Sequence, residues 1–293
     1  MLTSEMIRKI RRIEITTSRV VQDAVAGRYL SAFKGRGMEF EEVRPYEVGD
    51  DIRTIDWNVS ARAGSPHVKL FREERELTVM LLVDLSRSLG FGSRAQLKRE
   101  LVAEVSATLA FSATRNNDKI GLLLFSDRIE RHVPPRKGRR HVLRIIRDLL
   151  THTPSGRGTS LASALEELNR VQKRRAVVFV VSDFLDDGWE RQLAVARSRH
   201  DVIPVRIDDP LERALPNVGL LEVEDLESGE VVTIDTASAR VRAAYEREST
   251  ARRLRFEHAM RRVRIEPITL TTGDDPIEPI TAYFRKREAR RSR

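Results

Sequence analysis

The sequence predicts a doubly wound α/β fold: a mostly parallel sheet flanked by helices, with an N-terminal extension and a C-terminal hairpin elaboration. Three observations carry this. Two short apolar runs, Thr78–Val83 and Ala176–Val181, are rich in β-formers and end in polar residues. Such runs suit strands buried on both faces of a parallel sheet. Strand-length and helix-length patterns alternate between and beyond them, as crossover helices require. The 293 residues, 40% of them hydrophobic, suffice for one large domain with a smaller part attached.

Each element has its own signal. Residues 1–33 show helical spacing through Ile7, Ile10, Ile13, Val20, Val21, Ala24 and Val25, which Gly35 and Gly37 end. Residues 38–76 are polar, with short strands expected around Met38–Val43 and Val68–Phe71. Segment 1–76 is too polar to close a core alone, so it is expected to pack on the domain that follows. That domain, 77–284, begins with Thr78–Val83. A helix is expected over Arg94–Thr114, from Leu97, Leu101, Val105 and Leu109, then strands at Ile120–Phe125 and Ile129–Val133. Helices at 139–151 and 161–173 lead to strand Ala176–Val181, helix Trp189–Arg199 and strand Val202–Ile207. After Pro216, Leu220–Val223 and Val231–Ile234 flank the polar turn Glu227-Ser228-Gly229-Glu230, which predicts a hairpin insertion over 220–235. An Arg-rich helix over 237–263, a strand at Glu266–Thr271 and a helix at 276–290 complete the chain. Residues 285–293 form a basic tail, and there is no internal repeat.

Composition narrows the function. The chain has no cysteine, which removes disulfides and thiolate metal sites. Residues 1–15 lack the uninterrupted apolar stretch of a secretory signal. The apolar runs are far short of the roughly 20 residues that span a bilayer. A soluble, cytoplasmic protein is expected. The net charge of +9 suggests an anionic partner, but six Lys/Arg against one Glu in the last nine residues supply more than half of it.

One constellation carries chemistry. The first buried strand runs into Asp84-Leu85-Ser86-Arg87-Ser88. Ligands of open α/β sheets bind at the carboxyl ends of strands, near the switch point. An extended Asp-x-Ser-x-Ser segment there points three oxygen side chains one way. A hard cation wants such oxygens, and Mg²⁺ keeps several waters, so few protein ligands suffice. Two further segments fall at ends of neighbouring elements. Gly158-Thr159-Ser160-Leu161 precedes a helix, and Ser182-Asp183 ends the strand Val177–Val181. Each alone also reads as a helix cap or turn; the coincidence of all three does not.

Together, Asp84-x-Ser86-x-Ser88, Thr159 and Asp183 resemble the metal-ion-dependent adhesion site of von Willebrand factor A domains. The resemblance covers Leu77 to Ile207. It implies a shell of Asp84, Ser86, Ser88, Thr159 and Asp183 around a divalent cation, Mg²⁺ or alternatively Mn²⁺ or Ca²⁺. A second resemblance lies upstream. Gly37–Phe40, Arg44-Pro45-Tyr46, Gly49–Trp57, Ser60-Ala61-Arg62 and Val68-Lys69 are similar to the signature of the bacterial family called domain of unknown function 58. Leu89 stands where that family usually has Met. The resemblance implies an adaptor or chaperone-like role beside a MoxR-type AAA+ ATPase.

Within Gly49–Trp57, the carboxylates of Asp50, Asp51 and Asp56 are expected around Arg53, with Trp57 and Ile55 free to bury against the core. This segment reads either as a structural staple or as a partner surface made of Asp50, Asp51, Arg53, Asp56 and Trp57.

Three functions compete. The first is a cation-dependent binding module, with no catalytic role. The second is a Mg²⁺-dependent phosphoester hydrolase, against which stand the absence of a phosphate-cradling Gly-rich loop and of any histidine in the three metal segments. The third is nucleic-acid binding through Arg131, Arg136, Lys137, Arg139, Arg140, Arg144 and Arg147 or through the tail. An aromatic content of 5% leaves few bases to be stacked. The binding module is the expected function.

Overall fold

A computed structural model describes residues 29, 32–33, 39–72, 76–93, 96–156, 158–224 and 229–291. The helix expected over residues 1–33 therefore lies, but for Tyr29, Ala32 and Phe33, outside the described residues. Phe33–Glu76 forms one compact unit. Leu77–Arg293, together with Tyr29 and Ala32, forms the other.

The larger unit holds a six-stranded sheet. Its strands are β3 (Thr78–Asp84), β4 (Lys119–Phe125), β5 (Ile129–Arg136), β6 (Val177–Ser182), β7 (Asp201–Asp208) and β10 (Ile268–Thr271), in the order β10-β7-β6-β3-β4-β5. Every pairing is parallel except that of β5, an antiparallel edge strand on β4. From β3 the chain winds one way to β4 and later the other way to β6, so the switch point lies between β3 and β6. That is where ligands of such sheets sit.

Apart from Thr78 and the terminal Asp84 and Ser182, both central strands are apolar, because both faces are covered. Met80 and Leu82 pack with Leu161, Leu165 and Leu168 of α4 (Leu161–Val171) and with Leu193 of α5 (Glu190–Arg199). Val79, Leu81 and Val83 point to the opposite face, where α2 (Lys98–Arg115) packs on β3, β4, β6 and β7. Helix α2 is buried nearly all round, as befits a central helix. Helix α3 (Arg139–Thr151) follows β5, and β8 (Leu220–Glu224) pairs with β9 (Val231–Asp235) in the expected hairpin. Helix α6 (Ala239–Arg262) leads to β10, and α7 (Ile277–Arg291) closes the unit. Phe284 of α7 is fully buried between Phe179 and Tyr29, in edge-on contact with both. The basic residues assigned to a tail are helical through Arg291. Lys286 and Arg290 pair with Glu266, and Arg287 with Asp201. Among the described residues no helix is long and apolar enough to cross a membrane.

The smaller unit pairs β1 (Glu39–Pro45) with β2 (His67–Arg72) in an antiparallel ladder. A 3-10 turn, Ile52–Thr54, and helix α1 (Trp57–Ala63) lie between them. Its aspartates correct the expectation of a cluster around Arg53. Asp50 takes a bidentate pair from Arg44, at 2.8 and 2.7 Å. Asp51 caps the 3-10 turn by accepting the Arg53 N–H at 2.9 Å. Asp56 caps α1 through the N–H groups of Asn58 and Val59, and its other oxygen lies 3.1 Å from Lys69. Short helical starts need such acceptors, so local caps win over a shared cation. Trp57 is 71% exposed rather than buried, and Ile52 and Val48 are exposed near it in sequence.

Asp56→Ala removes two cap bonds and an ion pair at once. It should cost the smaller unit about 1–2 kcal/mol. Hydrogen exchange should show faster exchange at Asn58 and Val59, with β3 and β6 unchanged.

Candidate functional site

The candidate site is built where β3 and β6 end side by side. The parallel register pairs Val83 with Val181, so the next residues along, Asp84 and Ser182, come together. The Ser182 hydroxyl donates to Asp84 Oδ2 at 2.7 Å. Asp84 Oδ1 accepts the Ser86 N–H at 2.7 Å, which turns the chain out of the strand. The hydroxyls of Ser86 and Ser88 lie 2.9 Å apart, and Ser88 donates to Asp183 Oδ2 at 2.9 Å. Asp84, Ser86, Ser88 and Asp183 are thus one cluster tied by hydrogen bonds. Asp84, Ser86 and Asp183 are buried, and Ser88 is half-buried.

After Asp183 the backbone takes an unusual conformation. Phe184 has φ of +55°, a left-handed conformation that is costly for a bulky residue. Its N–H bonds to the Ser182 hydroxyl, and its ring packs on Trp189 and Phe256. That packing holds the turn which leaves Asp183 facing Ser88.

Thr159 arrives on a separate loop. It and Ser88 line one cleft of about 1210 Å³, walled by the β8–β9 hairpin (Leu221, Val223, Ile234) and by α6 (Tyr245, Ser249). Two carboxylates fix the Thr159 loop. Asp186, after β6, accepts the Leu161 N–H at 2.9 Å. Glu130 of β5 accepts from the Ser126 hydroxyl and the Ser155 and Gly156 N–H groups, at 2.6 to 2.9 Å. Gly156 is needed there: a Cβ would stand 2.2 Å from Ser126 Oγ and Asp127 Oδ1. Burial works against the Glu130 charge, but its donors outweigh that and hold the carboxyl down at about 2.

Two residues of the site escaped the sequence reading. Lys98, the first residue of α2, is fully buried. Its ammonium lies 2.9 Å from Asp183 Oδ2 and 2.5 Å from Glu212 Oε1. The signal was present, because Lys98 shares one helical face with Val102, Val105 and Leu109, all fully buried. Glu212 closes the 3-10 turn Pro210–Glu212 after β7 and had no local pattern to mark it. The Asp84 carboxyl is pushed up to about 7, first by burial and then by the charge of Asp183. Lys98 is held above its ordinary value: burial opposes its charge, and Asp183 and Glu212 outweigh burial.

The donor set is two carboxylates and adjacent hydroxyls. Among the described residues no group of three or more His, Cys, Asp or Glu is arranged to hold a metal ion, so any ion here would rest on serine and threonine oxygens as well. Hard cations accept such ligands. A buried carboxylate with a raised pKa, facing a second carboxylate, is also the electrostatic setting that a cation relieves. The residues fit a divalent ion.

The doubly wound, mostly parallel sheet flanked by helices has a von Willebrand factor A-like fold. The model of the family described as protein of unknown function DUF58 matches residues 42–255, and the chain belongs to that family. It is 32% identical over 283 residues to the uncharacterized protein Rv1480 of Mycobacterium tuberculosis, covering 95% of this chain and 88% of that one. It is 28% identical over 169 residues to the uncharacterized protein YeaD of Bacillus subtilis, covering 57% of this chain and 40% of that one. Among solved structures it is similar to BatB from Bacteroides thetaiotaomicron, at 14% identity and a TM-score of 0.47, over 73% of this chain and 99% of that one. It is also similar to the SpRpn10 VWA domain, at 11% identity and a TM-score of 0.39, over 71% and 95%.

Glu130→Ala leaves the buried Ser126 hydroxyl and Gly156 N–H without their acceptor and should destabilise the protein by about 1–2 kcal/mol in urea unfolding at pH 7. A depressed carboxyl pKa stabilises above the unfolded value. The wild-type advantage over the variant should therefore shrink as pH falls from about 4.5 toward 2. An advantage constant across that window would show that the charge of Glu130 is not what holds the loop.

Proposed function

We propose that this protein is a cation-dependent protein-binding module whose partner contact is made at the Asp84–Asp183 cluster. The single observation that carries this is the continuous oxygen cluster, from Ser182 and Asp84 through Ser86 and Ser88 to Asp183, with Ser88 on the cleft wall. Asp84, Ser86, Ser88, Thr159 and Asp183 are the residues that would hold Mg²⁺, or Mn²⁺ or Ca²⁺ in its place. A bound ion would supply an exchangeable coordination position for a carboxylate of the partner. Asp84 and Asp183 contribute charge from below, and Ser88 and Thr159 edge the opening. The residues that hydrogen-bond within the cluster are carboxylates, hydroxyls and one ammonium, with no imidazole to move a proton. The proposed role is recognition. The family resemblance supports a more specific version, in which the partner is a MoxR-type AAA+ ATPase and the protein acts as a cytoplasmic adaptor.

The test is capture of partners from native lysate on the purified protein, in Mg²⁺ and in EDTA, beside Asp84→Ala. Partners should be retained only by wild type with Mg²⁺, while the circular dichroism of Asp84→Ala matches wild type. The same partners in EDTA would defeat the proposal.

The pH dependence of ion binding gives an independent test. The Asp84 carboxyl rises from its ordinary 3.8 to about 7 in the folded chain. Between those values the folded state holds a proton that the unfolded state has lost, so this group's contribution to stability falls as pH rises through the window. An ion binds the ionised form and reverses that loss. The Tm gain from Mg²⁺ should be larger at pH 8 than at pH 6; an equal or reversed gain would place the ion elsewhere.

A further inference from the structure

We propose that Lys98 is a resident counter-cation of the site, competing with the divalent ion for Asp183 and setting how loosely that ion is held. This rests on the cation-dependent reading above and goes beyond it.

Nothing local favours a lysine at position 98. It begins α2, where the helix dipole is positive and a cation is disfavoured. Its side chain is fully buried, which burdens a charge further. Both costs are met only by what it touches. Its ammonium lies 2.9 Å from Asp183 Oδ2, the same oxygen that accepts the Ser88 hydroxyl, and 2.5 Å from Glu212 Oε1. An oxygen shared by an ammonium and a hydroxyl has less electron density to offer an ion.

Charge sets the direction of the effect. When ionised, Asp84, Asp183 and Glu212 carry three negative charges and Lys98 one positive charge, which leaves two negative charges over. One divalent ion balances that remainder. Without the ammonium the site has three uncompensated negative charges and should grip an ion harder. Without the Glu212 charge the ammonium has Asp183 as its one carboxylate partner here and should withdraw it from the ion. Two substitutions a few ångströms apart should therefore move ion affinity in opposite directions. A purely structural role for Lys98 and Glu212 predicts losses in both.

Glu212 also links the lysine to the cleft. Its backbone carbonyl accepts the Ser249 hydroxyl of α6 at 2.6 Å, and Ser249 lines the same cleft as Ser88. The ammonium thus spans from the ion cluster to a residue tied to the cleft wall.

The experiment is Mn²⁺ titration of the full chain followed by electron paramagnetic resonance, for wild type, Lys98→Met and Glu212→Gln, with thermal unfolding in Mg²⁺ and in EDTA. Lys98→Met should bind Mn²⁺ about tenfold more tightly than wild type, and Glu212→Gln about tenfold more weakly. Lys98→Met should also show the larger Tm gain from Mg²⁺. Equal dissociation constants in all three proteins, or weaker binding in both variants, would overturn the role of Lys98 while leaving the ion site standing. No Mn²⁺ binding by wild type or by a folded Lys98→Met would overturn the ion site and this proposal together. If Lys98→Met does not fold, Lys98→Gln, which keeps a polar group beside Asp183 and Glu212 without the charge, takes its place: tighter binding than wild type supports the role, and equal or weaker binding overturns it.

Discussion

Two carboxylates are buried at the adjoining ends of neighbouring parallel strands, and the upper face of the domain is organised around that constraint. The register of β3 and β6 sets Asp84 beside Ser182, so Asp183, the next residue, falls close to it. Like charges in a dry environment repel and lose their hydration, and the Asp84 carboxyl at about 7 records that tension. The chain answers it piece by piece. Ser182 and the Ser86 N–H donate to Asp84. Ser88 and Lys98 donate to Asp183. The answer is incomplete, since a charge remains when every such bond has been made.

Other buried acids of the same unit show what a complete answer looks like. Glu130 gathers donors from Ser126, Ser155 and Gly156 and is held at about 2. Asp209 is fully buried and accepts from Ser93, Leu211 and Thr272. Burial opposes its charge too, yet the Ser93 and Thr272 bonds keep it below its ordinary value. Both acids fix loops: Glu130 the Thr159 loop, and Asp209 the segment at Ser93 that follows the serines. The fold can therefore satisfy a buried carboxylate fully where structure alone is at stake. Asp84 stands apart because its donors do not offset burial and the charge of Asp183, and its carboxyl stays raised at about 7.

Much of this was legible in the sequence. Apolar runs gave the central strands, because a strand covered on both faces has no polar positions to confuse the pattern. Helical periodicity marked α2 and α4, and helices were expected where α3, α5, α6 and α7 lie, with boundaries displaced by a few residues. The neighbourhood of the Asp-x-Ser-x-Ser segment and Asp183 was legible because each follows a predictable strand, whereas Thr159 precedes a predictable helix on a separate loop. What failed was pairing across sequence distance. Lys98 and Glu212 are 114 residues apart, and neither carries a motif. The aspartates of Gly49–Trp57 failed for the opposite reason. Opposite charges close in sequence suggested a cluster on Arg53, but unsatisfied N–H groups at two short helical starts claimed Asp51 and Asp56 first. Caps are local and their partners preorganised, so they form ahead of a shared ion pair on the surface, where pairing contributes little.

Access to the cluster is one-sided, and this bears on what can bind there. Asp84, Ser86 and Asp183 are covered, with exposures of 0, 3 and 2%, whereas Ser88 and Thr159 are half-buried and line the cleft. Anything reaching the cluster must come past those two hydroxyls, between the aliphatic side of the β8–β9 hairpin and α6. Leu221 faces Ile234 and Val223 faces Val232 across the hairpin ladder, so the approach is apolar on one side while its floor is acidic. Arg206, Arg213, Arg252 and Arg253 also line the cleft, so an acidic group entering it meets cations on the walls as well as carboxylates at the floor. A protein segment that sets a carboxylate beside apolar side chains matches both surfaces once the floor carries a cation. The walls and the floor therefore favour the same class of occupant, and they do so only when the two negative charges left by Lys98 are balanced.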